Sequence, residues 1–228
     1  MNAIDFCGLQ TIVKEENSDT VVVVLHGYGA DYKDFVPFAN YILKRKNPSW
    51  YFLNGVEATT MGGYETGRCW FPIDMMGLNN ALMTGKFLSF FQEKVPEGIE
   101  QARLKVTRAI EELRKKYDKI YLGGFSQGSM LSADIAFHRP DLIDKLFLLS
   151  STMLFPERWE KQAEKDFSFP IFQSHGISDP VLPIEGAREL KSFLENYDLD
   201  HQYHEFSGAH EVPLEIINEL DLFLRDEQ

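Results

Sequence analysis

Cysteine is scarce in this chain of 228 residues, which contains only Cys7 and Cys69. Two cysteines so far apart provide neither a disulfide framework nor the Cys-x-x-Cys spacing of metal and redox sites. Cys69 lies beside Trp70, and we interpret it as a packed thiol rather than a nucleophile. The cysteine content therefore favours a reducing environment and excludes the class of disulfide-stapled secreted domains.

Long apolar runs are also missing. The longest strongly apolar run is VVVVL, residues 21–25, which is too short to span a bilayer. The first twenty residues contain no basic region followed by a long apolar stretch, so we predict no signal peptide. These two absences predict a cytoplasmic protein without integral membrane contact.

Positive charge is in the minority, with 23 Lys and Arg against 35 Asp and Glu and a formal net charge of -12. This balance argues against a nucleic-acid partner and against electrostatic binding to an anionic membrane. The net charge does not argue against neutral or acyl substrates. Because 44% of the residues are hydrophobic, the chain can bury a sizeable core and is not expected to be disordered.

No internal repeat or Pro/Ser-rich linker divides the chain, so we predict a single domain over residues 1–228. Its apolar runs and amphipathic segments alternate, which favours an α/β fold with a mostly parallel sheet and helices on both faces. The predicted strands are 21–25, 50–53, 119–123, 145–150, 170–175 and 202–206, and the predicted helices are 31–46, 96–117, 129–138, 185–196 and 213–225.

Residues 59–95 do not follow this alternation and are rich in Gly, Met and aromatic residues. In open α/β sheets, ligands bind outside the carboxyl ends of the strands, so we predict an active-site excursion here. The apolar cluster within 82–91 is consistent with a helix packed on the core, a pocket wall, a lid or a homodimer surface. The candidate substrate-binding residues are Trp70, Phe71, Leu82, Phe87, Val181 and Leu182.

A serine lies between two glycines in GGFSQG, residues 123–128, directly after a predicted strand and before a predicted helix. This setting is typical of the G-x-S-x-G nucleophile elbow. The turn is so tight that Gly124 and Gly128 must lack side chains, and the following helix directs its N-terminal N–H groups at the site. We therefore predict that Ser126 is a nucleophile rather than part of an ordinary glycine-rich turn.

A nucleophilic serine requires a base and an orienting carboxylate, which in this fold follow in the order acid, then histidine. Asp179 lies in a turn after one predicted strand, and His210 lies between the last predicted strand and the last helix. Asp-Pro alone is ordinary turn chemistry, but the order and placement of the pair predict acid and base. We interpret His201 and His204, which flank a strand, as surface histidines.

The segment LHGYGAD, residues 25–31, follows the first central strand. His26 precedes the serine, which is the wrong order for the base, so we assign it a structural role. The loop after it predicts a backbone N–H donor at Tyr28, which would form an oxyanion hole with the N–H of Gln127. This mechanism requires the backbone amide of Gln127 rather than its side chain.

The segments LHGYGAD, GGFSQG, SHGISDPVLP and SGAHEVP, in this order, resemble the phospholipase/carboxylesterase family of α/β-hydrolases, which includes acyl-protein thioesterases and small bacterial carboxylesterases. RCWFPID is similar to the Trp-aromatic-Asp stretch of that family, and the resemblance covers nearly the whole chain. It implies an α/β-hydrolase fold with a triad of Ser126, Asp179 and His210 and oxyanion donors at Tyr28 and Gln127.

The predicted activity is hydrolysis of small or medium acyl esters or thioesters through an acyl-enzyme on Ser126, with no metal or organic cofactor. One alternative is a non-catalytic ligand-binding protein of the same fold. Another is a thioesterase or lysophospholipase specific for lipid acyl chains, although residues 78–95 do not match the substrate loop expected of a thioesterase. A cysteine-nucleophile hydrolase is excluded because position 126 is serine.

Overall fold

A computed structural model describes residues 2–92, 95–163, 169–197 and 199–225. The strands within these residues are β1 Asn2–Phe6, β2 Leu9–Lys14, β3 Thr20–Leu25, β4 Ser49–Leu53, β5 Glu57–Met61, β6 Tyr64–Cys69, β7 Lys119–Phe125, β8 Lys145–Leu149, β9 Ile171–Gly176 and β10 His201–Phe206. The α-helices are α1 Met75–Met83, α2 Phe87–Gln92, α3 Ile99–Arg114, α4 Gln127–His138, α5 Pro156–Ala163, α6 Ile184–Glu195 and α7 Leu214–Leu224. None of the described helices combines the length and the apolar composition needed to cross a bilayer.

The described strands form a main sheet in the order β1-β2-β4-β3-β7-β8-β9-β10. Neighbouring strands from β4 to β10 in this order are parallel, whereas β1 and β2 pair antiparallel at one edge. The helices lie around this sheet, which confirms the predicted α/β-hydrolase fold. The carboxyl ends of β3, β7, β9 and β10 therefore meet along one edge of the sheet.

The central strand β3 is buried along its whole length. Val21, Val23 and Leu25 pack into the hydrophobic cluster on one face of the sheet, and Val22 and Val24 pack into the cluster on the other face. Successive side chains of a strand point to opposite faces, so a strand covered on both sides needs an unbroken apolar run. This requirement explains the sequence VVVVL.

The predicted helix over residues 31–46 is wrong, because this segment contains a 3-10 turn, Val36–Asn40, and no α-helix. Leu43 and Asn47 adopt left-handed backbone, with φ of 53° and 43°, which interrupts helical hydrogen bonding. The apolar side chains that gave the helical spacing are nevertheless buried against the sheet: Phe35, Phe38, Ala39, Ile42 and Leu43. The spacing of the apolar residues therefore predicted correctly which side chains are buried, but it predicted the wrong backbone conformation.

The segment 59–95 contains most of a separate two-stranded sheet, β5 and β6, followed by α1 and α2; residues 93 and 94 lie outside the described residues. The end of β6 is bonded to the loop after β3. Gly29 N donates to Arg68 O and Arg68 N donates to Ala30 O, both at 2.8 Å. The hairpin therefore supports the loop that carries the predicted oxyanion donor Tyr28.

Candidate active site

Ser126 occupies the turn between β7 and α4 with φ 54° and ψ -118°. A non-glycine residue with positive φ is strained, and such strain persists only where the surrounding structure holds it. Here Ser126 N donates to Leu149 O at 2.9 Å, and its carbonyl accepts from Ser129 Oγ at 2.6 Å. The turn thus holds Ser126 at the N-terminus of α4, in the conformation that a nucleophile elbow requires.

The two glycines beside the serine lie against the end of β3. A Cβ atom on Gly124 would lie 2.4 Å from Leu25 O, and one on Gly128 would lie 2.2 Å from the same oxygen. Backbone atoms cannot yield to such contacts, so both positions exclude any side chain. The absence of side chains lets the elbow pack directly against the strand that leads into Tyr28.

Asp179 follows β9 and His210 follows β10, and the two side chains are in direct contact. His210 Nδ1 lies 2.6 Å from Asp179 Oδ2. The other carboxylate oxygen, Oδ1, accepts the backbone N–H groups of Val181 and Leu182, both at 2.8 Å. The carboxylate is therefore fixed in the turn at one oxygen while the other oxygen orients the imidazole.

The charge of Asp179 follows from these contacts. Burial raises the pKa of Asp179, but hydrogen bonds from His175, His210 and the Leu182 N–H outweigh burial and hold it well below its usual range. The ionised carboxylate can only accept, so His210 donates from Nδ1 and Nε2 is left as the basic nitrogen. The stabilisation from this depressed pKa is fully present above the unfolded-state pKa of about 4 and is lost as the pH falls toward the folded-state value.

The loop that holds His210 lies against the elbow. The His210 ring packs on Phe125, the residue before Ser126, with ring centroids 4.6 Å apart. Ser178 N donates to Gly208 O at 3.0 Å, which joins the loops after β9 and β10. Ser126, Asp179 and His210 thus lie in the turns and loops that follow β7, β9 and β10, at the same edge of the sheet.

The two predicted oxyanion donors have free backbone amides. Tyr28 lies in the loop after β3, and Gln127 is the first residue of α4. Within the described part of the chain, neither N–H donates to a protein acceptor. Unpaired N–H groups at a helix N-terminus favour bound negative charge. Both amides are therefore available to an anionic oxygen.

The side chain of Gln127 also has a role, which the sequence analysis did not predict. Its Oε1 accepts from Trp70 N at 2.9 Å, and its Nε2 donates to Phe71 O at 2.6 Å. The Trp70 indole N–H in turn donates to His26 O at 2.9 Å. The side chain of Gln127 therefore fixes the segment beside the turn at Ser126, a structural role in addition to the one predicted for its backbone amide.

Replacing Gln127 with leucine is expected to destabilise the protein. The substitution leaves the buried N–H of Trp70 and C=O of Phe71 without partners, and each such group costs about 1–3 kcal/mol. The urea midpoint should fall, whereas Gln101→Leu, at an exposed position of α3, should leave it nearly unchanged. Equal midpoints for the two variants would contradict this role of the side chain.

His26 is placed as a structural residue. Its Nε2 accepts the Gly55 N–H at 2.9 Å, and its Nδ1 donates to Gly27 O at 2.7 Å. Burial lowers the pKa of His26, which keeps the ring neutral and suits one donor and one acceptor nitrogen. The ring therefore shapes the start of the loop that carries Tyr28.

The interpretation of His201 and His204 as surface histidines is wrong, because both are half-buried. The His204 ring stacks on Phe172 with centroids 4.9 Å apart. Burial lowers the pKa of His201 to about 4, so its imidazole is neutral at physiological pH. The sequence could not reveal this burial, which depends on helices packed over the edge strand β10.

The predicted substrate-binding residues differ in their surroundings. Trp70, Phe71, Phe87 and Leu182 are buried, Leu82 is half-buried, and Val181 is 40% exposed. Phe71 lines a cleft of about 550 Å³ together with Pro72, Ile73, Asp74, Ser89, Phe90, Phe91, Pro96 and Glu97. Phe90 and Phe91 belong to the cluster within 82–91, for which a pocket wall was one of the expected roles, whereas Pro72, Ile73, Asp74, Pro96 and Glu97 were not predicted to line a pocket.

Comparisons with known proteins agree with this architecture. A sequence model of the family described as Phospholipase/Carboxylesterase matches residues 8–227. Acyl-protein thioesterase 1 of Kluyveromyces lactis is 28% identical over 232 residues, which cover 92% of this chain and 93% of the relative. The structure of Zea mays acyl-protein thioesterase 2 matches with a TM-score of 0.74 at 16% identity, over 94% of this chain and 96% of that one. A carboxylesterase from Mesorhizobium loti matches with a TM-score of 0.75 at 16% identity, over 98% and 97% of the two chains. The chain belongs to the phospholipase/carboxylesterase family.

Proposed function

We propose that the protein is a serine carboxylic-ester hydrolase that acts on small or medium acyl esters or thioesters. The observation that carries this proposal is the 2.6 Å hydrogen bond between His210 and Asp179 beside the strained turn at Ser126. Membership of the phospholipase/carboxylesterase family supports the same reaction class. A non-catalytic binding protein would have no need to hold a serine in strained backbone beside an oriented imidazole.

In the proposed reaction, Ser126 Oγ attacks the acyl carbonyl carbon while His210 Nε2 accepts the hydroxyl proton. The carbonyl oxygen becomes an oxyanion between the amides of Tyr28 and Gln127. When the tetrahedral intermediate collapses, the protonated His210 gives its proton to the departing alcohol or thiol. The products of this half-reaction are the free leaving group and an ester between the acyl group and Ser126.

The same groups then act on water. His210 Nε2 removes a proton from a water molecule, whose oxygen attacks the acyl carbonyl, and the proton is returned to Ser126 Oγ as the acid departs. Asp179 stays ionised throughout and stabilises the imidazolium that forms in both half-reactions. Each oxyanion donor contributes about 3 kcal/mol to transition-state stabilisation in enzymes of this type.

The second candidate function is a thioesterase specific for lipid acyl chains. The observation that favours it is the cleft beside Phe71, whose aromatic and aliphatic walls suit a hydrocarbon chain although Asp74, Ser89 and Glu97 also line it. The name of the Kluyveromyces lactis relative supports a thioester substrate. The two candidates share one mechanism and differ in the acyl length that gives the highest kcat/KM.

The test is a stopped-flow assay with p-nitrophenyl esters from acetyl to palmitoyl, beside matched acyl thioesters. The proposal predicts a p-nitrophenol burst of one equivalent and a maximum of kcat/KM at short or medium chains. A maximum at palmitoyl would favour the lipid-specific candidate. Absence of turnover with every ester and thioester would contradict both candidates and favour a binding protein.

A further inference from the structure

A fully buried histidine, His175, lies behind the proposed acid at the end of β9. Its Nε2 is 2.7 Å from Leu182 O and 3.3 Å from Asp179 Oδ2. A carbonyl and an ionised carboxylate only accept hydrogen bonds, so Nε2 carries a hydrogen. The mechanism above gives this residue no function.

The other ring nitrogen of His175 makes the residue harder to explain as simple packing. Within the described part of the chain, Nδ1 is buried and has no hydrogen-bond partner. A buried polar atom without a partner costs free energy, so an apolar side chain would fill this position at lower cost. The presence of an imidazole at this position therefore indicates that its Nε2–H has a function.

We propose that His175 is a positioning residue of the triad: its Nε2–H anchors the turn that holds Asp179 and attracts part of the carboxylate charge away from His210. The two contacts act together. Leu182 supplies the carbonyl that His175 binds and also one of the N–H groups that hold Asp179 Oδ1. One imidazole thus supports both oxygens of the carboxylate. This inference rests on the proposed function.

The direction of the effect follows from charge. Without the Nε2–H, Asp179 receives less hydrogen bonding from its turn and presents more negative charge to His210. That charge stabilises the protonated imidazole, which cannot act as a base. The acid limb of the pH profile of kcat/KM is therefore expected to move to higher pH when His175 is replaced by a residue without a donor at the position of Nε2.

Other charged groups near this cluster have hydrogen-bond partners of their own. Glu205, which lies beside His175 in the register of β10 and β9, is bound by Arg188 of α6 at 2.8 Å and by the Tyr203 hydroxyl at 3.0 Å. Glu211, on the loop of His210, accepts the Ala209 N–H at 3.2 Å. These groups are unchanged in variants of His175, so a shifted profile reports on His175 itself.

The test compares His175→Leu and His175→Asn with His175→Gln, whose side-chain amide nitrogen reaches the position of Nε2. We expect His175→Leu and His175→Asn to move the acid limb up by about 0.5–1 pH unit. At pH values below the limb, this shift should lower kcat/KM about three- to tenfold in both. His175→Gln should restore both values toward wild type. Circular dichroism checks folding, and the asparagine variant carries the test if the leucine variant does not fold.

A proton NMR measurement of the His210 Nδ1–H resonance provides a readout that needs no turnover. The resonance should move in the leucine and asparagine variants and return in the glutamine variant. A purely structural role predicts lower amplitude with an unchanged pH profile and resonance, which would overturn the inference. If the wild type hydrolyses no ester, the proposed function fails, and the resonance still decides whether His175 acts on the Asp179–His210 pair.

Discussion

Ser126→Ala is expected to lower kcat for a p-nitrophenyl ester by about 10⁴- to 10⁶-fold. Ser126 Oγ is the atom that becomes acylated in the proposed mechanism, and alanine has no nucleophilic atom to replace it. The fold should survive, because alanine keeps the Cβ atom and the backbone bond from residue 126 to Leu149 O. Steady-state kinetics with a chromogenic ester, together with a urea unfolding curve, measures both effects.

The matched control is Ser192→Ala, which removes an exposed serine on α6 and should leave kcat unchanged. The residual rate of Ser126→Ala should still exceed that in buffer, because the amides of Tyr28 and Gln127 and the binding site remain. A decrease of less than about tenfold in a folded Ser126→Ala protein would show that the nucleophile lies elsewhere.

Asp179→Asn is expected to lower kcat by about 10⁴-fold. The backbone N–H groups of Val181 and Leu182 require an acceptor, so the asparagine oxygen should face them and its NH₂ group should face His210. A donor at that position requires Nδ1 to accept, which moves the imidazole proton to Nε2 and removes the base from Ser126. The predicted loss therefore comes from the wrong tautomer with little change in geometry.

This second prediction is measured as kcat against pH, with Asp118→Asn as control. Asp118 is exposed before β7, far along the strand from the carboxyl end that carries Ser126, and its loss should leave kcat unchanged. Full activity of Asp179→Asn at neutral pH would contradict the role of Asp179 as the orienting carboxylate. Partial activity that returns only at alkaline pH would agree with it, since hydroxide can replace the missing base.

The sequence was sufficient to predict the central sheet and the three residues proposed as the triad. Ser126 directly follows β7, whereas Asp179 and His210 lie three and four residues after the ends of β9 and β10. The apolar pattern is strong in β7 and weaker in β9 and β10, whose sequences are IFQSHG and HQYHEF. The carboxyl ends of parallel strands lie at the same edge of the sheet, so residues that follow different strands are brought close together in space. Gly124 and Gly128 add a steric signal, because a Cβ atom at either position would strike Leu25 O.

Other features depend on contacts between distant segments and were not predictable in this way. The edge strand β1 is mostly exposed, and β2 beside it pairs with β4, a strand that lies far along the chain. The Gln127 side chain binds residues more than fifty positions earlier in the chain. The cleft beside Phe71 is formed by α2 and two loops, which share no periodic pattern.

The central claim is that an acyl-enzyme forms on Ser126, and mass spectrometry of the intact protein tests it most directly. The protein is mixed with a p-nitrophenyl ester, quenched in acid within the burst phase, weighed and digested. The proposed mechanism predicts one acyl group per chain, located on the peptide that contains Ser126 and absent from Ser126→Ala. An acyl group on another residue, or equal acylation of Ser126→Ala, would contradict it.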